Sequence, residues 1–393
     1  PVTVTLSNGS VITIKAGESV GTVVVDTPAN DVYNNGSTVS TTITGATGGN
    51  FENLVPSTTP AVTTITDSID TTTVTLTAGS TVTEGGQITY TATLTNPAQT
   101  PVTVTLSNGS VITIKAGESV GTVVVDTPAN DVYNNGSTVS TTITGATGGN
   151  FENLVPSTTP AVTTITDSID TTTVSLTATN TVTEGGQITY TATLTNPAQT
   201  PVTVTLSDGS VITIKAGESV GSVVVDTPPN DVYVNGSTVS TTITGATGGN
   251  FENLVPNTTP AVTTITDSID TTTVTLTAPS EANEGGQITY TATLSNKAGT
   301  DVTLKLDNGS SITIKAGDTV GTVTVPAPSD DVFIDKSTQT VKITDTAGGN
   351  FEKLEVAGDG ATTTINDTID KVDVVLTATT TVGEGGNIVY TAS

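Results

Sequence analysis

An all-β fold is what this sequence predicts: small antiparallel sandwiches strung in tandem. Three observations carry the expectation. The chain copies itself every 100 residues, and residues 1–100 and 101–200 differ only at Thr75/Ser175, Gly79/Thr179 and Ser80/Asn180. A third copy follows over 201–300, and a fourth, clearly diverged, runs from 301 to Ser393. A period this long belongs to an array of whole domains, since solenoid units are far shorter. Thr and Val dominate, with Gly and Asn at intervals, which is β composition. Finally, apolar and Thr residues alternate, as in Val102-Thr-Val104-Thr-Leu106, Ile188-Thr-Tyr190-Thr-Ala192-Thr-Leu194 and Val139-Ser-Thr141-Thr-Ile143. One face of each such strand is apolar and the other carries Thr, which suits antiparallel sheets with one wet side. No segment shows a helical period.

Taken in order along one unit, the strands fall at 73–78, 87–95, 101–107, 110–115, 119–126, 137–144 and 161–167. Asn96-Pro97 separates the second from the third. Asn108-Gly109 is a two-residue hairpin signal between the third and fourth. Ala116-Gly117 separates the fourth from the fifth. Seven short strands in about 100 residues is the count of an immunoglobulin-like sandwich. The expected arrangement is a series of such domains in an extended rod.

The folding frame is offset from the copying frame. Asp67-Ser-Ile-Asp70-Thr-Thr-Thr73 looks like a short joint, with one strand ending at Asp67 and the next unit's first strand starting near Thr73. Complete domains are then expected at 71–170, 171–270 and 271–370. Residues 1–70 hold the last five strands of a unit and residues 371–393 the first two. A lone strand pair is not stable by itself, so 371–393 is expected to complete the open unit at 1–70, within one chain or by a head-to-tail contact between chains. Because Pro1 falls inside a repeat, the sequence reads as a piece of something longer.

Composition excludes much chemistry. There is no Cys, His, Met or Trp, and all ten basic residues are Lys. A Ser-His-Asp triad, a Cys nucleophile and the usual zinc or haem ligation are therefore out of reach. An enzyme is not expected. Hard oxygen sites for Ca²⁺ or Mg²⁺ remain open. Net charge is −27, which repels nucleic acid and anionic lipid. No disulfide is possible, no stretch approaches a membrane span and no signal peptide is visible.

The acids are placed in a pattern. In an up-and-down count of seven strands, the connections after the first, third and fifth strands and the end of the seventh share one pole. Glu84 of Glu-Gly-Gly lies in the first of these, Asp131 after the fifth strand, and Asp167 and Asp170 after the seventh. Carboxylates that close repel unless a cation neutralises them. Ca²⁺ takes six to eight oxygens in flexible geometry, and the glycines after Glu84 let the chain turn around it. Ordinary turn acids on a wet sheet are the alternative, because Asp and Gly favour turns anyway. The near-identical copies cannot decide this. The diverged copy keeps Glu284, Asp331, Asp367 and Asp370 and adds Asp330.

Two other constellations are weaker. Gly-Gly-Asn-Phe-Glu-Asn-Leu at 148–154 lies in the long loop before the last strand, on the opposite pole, facing the preceding joint. Asn150 and Glu152 could complete a bridging ion site there; the plainer reading has Phe151 and Leu154 plugging the sandwich end. Tyr133 resembles a tyrosine corner, although packing explains it as well and the fourth copy has Phe333.

Together, Thr-Val-Thr-Leu-Thr-Ala, Thr-Glu-Gly-Gly-Gln-Ile-Thr-Tyr-Thr-Ala-Thr-Leu-Thr-Asn-Pro, Gly-Gly-Asn-Phe-Glu-Asn-Leu and Thr-Ile-Thr-Asp-Ser-Ile-Asp resemble the extender repeats of giant RTX adhesins of the LapA type, over the whole chain. The Glu-Gly-Gly start and acidic end are also similar to Calx-β and cadherin-type domains. The resemblance implies bacterial immunoglobulin-like domains with Ca²⁺ at their joints, type I secretion to the cell surface, and a part in adhesion or biofilm formation by holding a terminal adhesive domain away from the cell. It carries a metal-ligand role to Glu84, Asp131, Asp167 and Asp170 and to their copies: Glu184, Asp231, Asp267 and Asp270; Glu284, Asp330, Asp331, Asp367 and Asp370; and, in the partial units, Asp31, Asp67, Asp70 and Glu384. Residues 1–70 depart from the pattern, having no Glu-Gly-Gly of their own. The expected partners are neighbouring repeats of the same adhesin. The rival expectation, a module that itself grips carbohydrate or a cell, has only 3% aromatics and no Trp to offer a sugar. Ice binding through the Thr ladders suits twisted sheets poorly.

Overall fold

The computed structural model describes all of residues 1–393 and is all-β, without a helix. The chain divides into two compact units, Pro1–Thr172 with Asn250–Asn253, and Thr173–Gly249 with Leu254–Ser393.

Residues 71–170 show how the pattern becomes a fold. Ten strands follow one another: β1 Thr71–Ala78, β2 Thr81–Thr83, β3 Gln87–Leu94, β4 Val102–Leu106, β5 Val111–Ile114, β6 Val120–Asp126, β7 Ser137–Thr141, β8 Ile143–Gly148, β9 Asn153–Pro156 and β10 Ala161–Thr166. One sheet has the order β6-β3-β1-β9. The facing layer holds β5-β4-β8 and β7-β10-β2, with β8 following β7 after Thr142 and pairing with β4 through a bulge near Ile143. The same ten strands recur over 171–266 and 271–366.

Alternation decides what is inside. Val74, Leu76, Ile88, Tyr90, Ala92 and Leu94 face Val102, Val104, Leu106, Ile112 and Ile114 in one buried cluster. The Tyr90 hydroxyl, buried at the centre, is satisfied by Thr141 Oγ1 at 2.8 Å, as most buried polar groups are. The matching Tyr290 hydroxyl, facing Val341 in place of Thr, has no partner. Most Thr residues of the same strands stay outside, Thr72 being buried, and some bond across the ladder, as Thr75 Oγ1 does to the Thr93 carbonyl.

All seven expected strands are present. The one expected over 137–144 continues to Gly148. Two further strands went unread: β2, in the connection after β1, and β9, in what the sequence presents as a loop. Both make short parallel pairings, β2 with β10 and β9 with β1, in an otherwise antiparallel sandwich. Neither has alternation long enough to announce itself.

The partial copy at 1–70 tests what holds these strands. Residues 20–26 have the same sequence as β6, and 53–56 the same as β9, yet neither is a strand there. β6 pairs with β3 and β9 with β1, and 1–70 contains no copy of β1 or β3. Pairing partners, not local propensity, make these segments strands. At the other end, Leu376–Ala378 and Tyr390–Ala392 pair with each other alone, with every residue of 371–393 exposed.

Candidate metal centre at the joints

The two parallel pairings build the acidic site. β2 and β10 run side by side in register Thr83↔Thr166, so the next residues, Glu84 and Asp167, leave their strands together. The Glu84 backbone N–H donates to the Thr166 carbonyl at 3.0 Å, and Gly85 N–H to Pro128 at 2.6 Å. Gly85 has φ +69°, the left-handed region in which a side chain would be strained. These bonds bring the Glu-Gly-Gly turn, the loop after β6 and the end of β10 to one pole. The other pairing, β9 with β1 in register Asn153↔Thr71, sets Glu152 beside Asp70. Its carboxylate accepts from the Asp70 backbone N–H at 2.7 Å. Glu252 meets Asp170 N–H in the same way at 2.6 Å, and Glu352 meets Asp270 N–H at 2.5 Å.

The outcome is a triad of carboxylates drawn from consecutive repeats. Glu84, Asp167 and Glu252 have ligand oxygens within 4.8 Å of one another, as do Glu184, Asp267 and Glu352. Glu84 is only 6% exposed, and Oε1 of Glu84, Oδ1 of Asp167 and Oε1 of Glu252 are buried with no hydrogen-bond partner. Burial, then the Glu252 carboxyl and the Asp131 charge, push the Glu84 carboxyl above the ordinary carboxylate range. Glu184 is raised by burial, Glu352 and Asp231 in the same way. Buried anionic oxygens facing one another without a donor are costly. A hard cation removes that cost, and an all-oxygen donor set in a chain without Cys or His fits Ca²⁺.

The diverged copy reaches the same end with different residues. Glu284, Asp335 and Asp367 form its cluster. Asp335 stands where the other copies have Asn35, Asn135 and Asn235. The Asp335 carboxyl and then burial lift Glu284 to about 7.

The remaining acids lie around the triads. Asp131 accepts from Tyr133 N–H and Asn135 Nδ2, fixing the loop after β6. Asp231 does the same with Tyr233 and Asn235, and Asp31 with Tyr33 and Asn35. Asp331 accepts from Phe333 N–H. Asp170 accepts from Asn130 Nδ2 and Ser168 Oγ. Asp70 has the matching pair Asn30 and Ser68, and Asn230 and Ser268 hold the Asp270 carboxyl below its usual range. Asp330 accepts from Thr368 Oγ1. Asp67 accepts from Asn35 and Gly36 N–H groups, without a Glu-Gly-Gly beside it. Asp370 and Glu384 are exposed and join no cluster. The sequence reading gave a ligand role to none of Glu252, Glu352 and Asp335. Glu152, considered for a bridging site, does reach the preceding joint, and Asn150 reaches the preceding repeat as well, its carbonyl accepting from the Asn34 N–H at 3.0 Å while its side chain donates to Gln99 Oε1. The signal for Asp335 was in plain view, as an Asn-to-Asp change in the copy free to vary.

An aromatic latch sits beside the Glu84 and Glu184 triads and at the Asp67 joint, whereas Phe333 of the diverged copy is exposed. Tyr233 stacks on Phe351 with ring centroids 5.9 Å apart and planes at 21°. Its hydroxyl donates to the Lys297 carbonyl at 2.8 Å. Two backbone bonds flank the stack, Val234 N–H to Asn350 and Glu352 N–H to Val232, both 3.0 Å. Tyr33 with Phe151 and Tyr133 with Phe251 repeat the stack. Asn350 at φ +54° and the left-handed Gly348 and Gly349 before it turn the chain so that Phe351 is presented. The tyrosine therefore grips the following repeat and forms no tyrosine corner. Its partner is about 120 residues away, beyond any local pattern. A cycle of Tyr233→Ala and Phe351→Ala, read by thermal unfolding, is expected to give a coupling of about 1 kcal/mol, the usual worth of an aromatic pair.

No helix is long and apolar enough to cross a membrane. No curated protein matches the chain. Among solved structures, the crystal structure of a tetra-tandem repeat in the extending region of a large adhesion protein is similar at 17% identity, over 94% of this chain and 91% of that one, with a TM-score of 0.30. That score is too low to bear on how the repeats are arranged. The family model of the LapA domain matches four times, at residues 1–68, 70–168, 170–268 and 270–368. The family is one of structural adhesin repeats and not of enzymes. With four matches that follow one another along nearly its whole length, the chain belongs to the LapA domain family.

Proposed function

We propose that this chain is an extender segment of a large bacterial surface adhesin, holding a terminal adhesive domain away from the cell and stiffened by Ca²⁺ at its joints. Complete folding units at 71–170, 171–270 and 271–370 are part of this reading. The observation that carries it is the buried triad in which Glu252 joins Glu84 and Asp167 of the preceding repeat, with three unpartnered oxygens. Ca²⁺ bound there supplies the positive charge that lets these carboxylates stay together. Glu84 and Asp167 come from one repeat and Glu252 from the next, so holding all three to one point fixes the angle between them. Without the cation, repulsion works against the latch. Glu252→Gln removes one formal charge from one joint and keeps the bond to Asp170 N–H. It is expected to lower calcium uptake by one ion and to shorten the scattering-derived length, leaving the other joints intact. Unchanged uptake and length would refute the proposal. A low-calcium cytoplasm would leave the chain soft for secretion, and a calcium-rich medium outside would set it.

A further inference from the structure

Two kinds of Asn-Gly pair recur in the chain, and the fold treats them differently. One kind sits in the hairpin turns, at Asn8-Gly9, Asn108-Gly109 and Asn308-Gly309. There the glycine N–H is engaged, donating to the carbonyl of Leu6, Leu106 or Leu306 at 3.0 Å. The asparagine is pinned too, because its Oδ1 accepts from the N–H of Ser10, Ser110 or Ser310 at 3.0 Å. The other kind lies in the exposed loop after β6 and in its copy, at Asn135-Gly136 and Asn235-Gly236. The N–H groups of Gly136 and Gly236 make no hydrogen bond. At Asn35 the matching Gly36 N–H is held by Asp67 Oδ2 at 2.9 Å. We propose that Asn135 and Asn235 are deamidation sites, and that losing the amide puts a further carboxylate into each joint.

The reaction needs only water. The Gly136 amide nitrogen attacks Asn135 Cγ, expelling ammonia and closing a cyclic imide, which water then opens. The net change is one water consumed, one ammonia released and an amide replaced by a carboxylic acid, on an aspartyl or isoaspartyl backbone. Glycine favours closure because it has no Cβ to obstruct the approach. An N–H held in a hydrogen bond must first be released, which protects the hairpin pairs. The surroundings of the new charge are visible in the diverged copy. Asn135 N–H donates to Asp167 Oδ2 at 3.2 Å, and its Nδ2 donates to Asp131 Oδ2 at 2.9 Å. Deamidation removes the second donor and sets two carboxylates against each other. Asp335 has the same backbone anchor, to Asp367 Oδ1 at 3.0 Å, and its carboxylate joins Glu284 and Asp367. A carboxylate formed at position 135 has the same route to Glu84 and Asp167. Neither step rests on the calcium reading.

The test is to incubate the whole chain in chelator at mildly alkaline pH, digest it after lysine and map the conversion by mass spectrometry. Asn8, Asn135, Asn235 and Asn308 each fall in a peptide with no other Asn-Gly pair, so their rates are read separately. Conversion at Asn135 and Asn235 is expected to run several-fold faster than at Asn8 and Asn308. Equal rates, faster hairpin sites, or no conversion at Asn135 and Asn235 would overturn the assignment. The effect on the joint is read on encoded variants in chelator. Asn135→Asp with Asn235→Asp is expected to lower the melting temperature, because each adds a charge beside Asp131 or Asp231. Asn108→Asp, a change that Asp208 already carries in the third copy, is expected to leave it unchanged. No fall in the first variant, or an equal fall in both, would remove the new carboxylate from the joint.

Discussion

Stripped of calcium by a chelator, the chain is expected to unfold at least about 10 °C lower and to scatter as a shorter, more flexible particle. The magnitude follows from linkage: a ligand at 100 times its Kd stabilises a native state by about 2.7 kcal/mol. For a domain of about 100 residues, each 1 kcal/mol shifts Tm by about 4–8 °C. The two readouts depend on different parts of the site. Tm reports the cost of facing Glu84, Asp167 and Glu252 without a cation. Length reports the joint, where the Tyr233–Phe351 latch and its two flanking backbone bonds remain when the ion is gone. A fall in both, reversed by added Ca²⁺, is the expected result. A scan unchanged in both would remove calcium from the account.

The second large effect is on pH. In metal-free protein, Glu284 has its carboxyl lifted from 4.5 to about 7 by Asp335 and burial. A raised carboxyl means that the folded state holds its proton more tightly than the unfolded chain does. Its contribution is fully present below about 4.5 and is lost as pH rises through about 7. The metal-free domain at 271–370 is therefore expected to lose stability across that window. Saturating Ca²⁺ should flatten the curve, because the bound cation favours the ionised carboxylate. Asp335→Asn, which restores the residue of the other copies and removes the largest cause of the shift, should make the loss smaller without calcium, burial still raising Glu284. Thermal unfolding of an Asp335→Asn chain between pH 4 and pH 8 checks this.

Much of this was legible because alternation and turn chemistry are local. Val102-Thr-Val104-Thr-Leu106 with Asn108-Gly109 specifies β4, its turn and β5, and the facing strand Ile88 to Leu94 reads equally well. What escaped is non-local. Thr81–Thr83 and Asn153–Pro156 are strands only because β10 and β1 lie alongside them. The coil at 20–26, with the sequence of β6, shows the same dependence from the other side. Those two parallel pairings bring Glu84 to Asp167 and Glu152 to Asp70, so the convergence on one pole was expected, while the donor from the next repeat was weighed only as the weaker reading of Glu152. Glu252 reads as a loop residue until β9 is known, and Tyr133 as a core residue until Phe251 is beside it. The 100-residue copying also hid information. Three of four copies repeat each other, and the Asp335 substitution stands only in the fourth.

The central claim, that the three triads hold calcium, is tested most directly by counting bound ions. Calcium titration by calorimetry, with elemental analysis of the dialysed protein, is run on the chain and on a Glu84→Gln, Glu184→Gln, Glu284→Gln variant. These substitutions remove one buried carboxylate from each of the three clusters while keeping side-chain size. The account predicts that the variant loses three tight ions relative to the unsubstituted chain. Equal calcium content in the two proteins, or none in either, would contradict it.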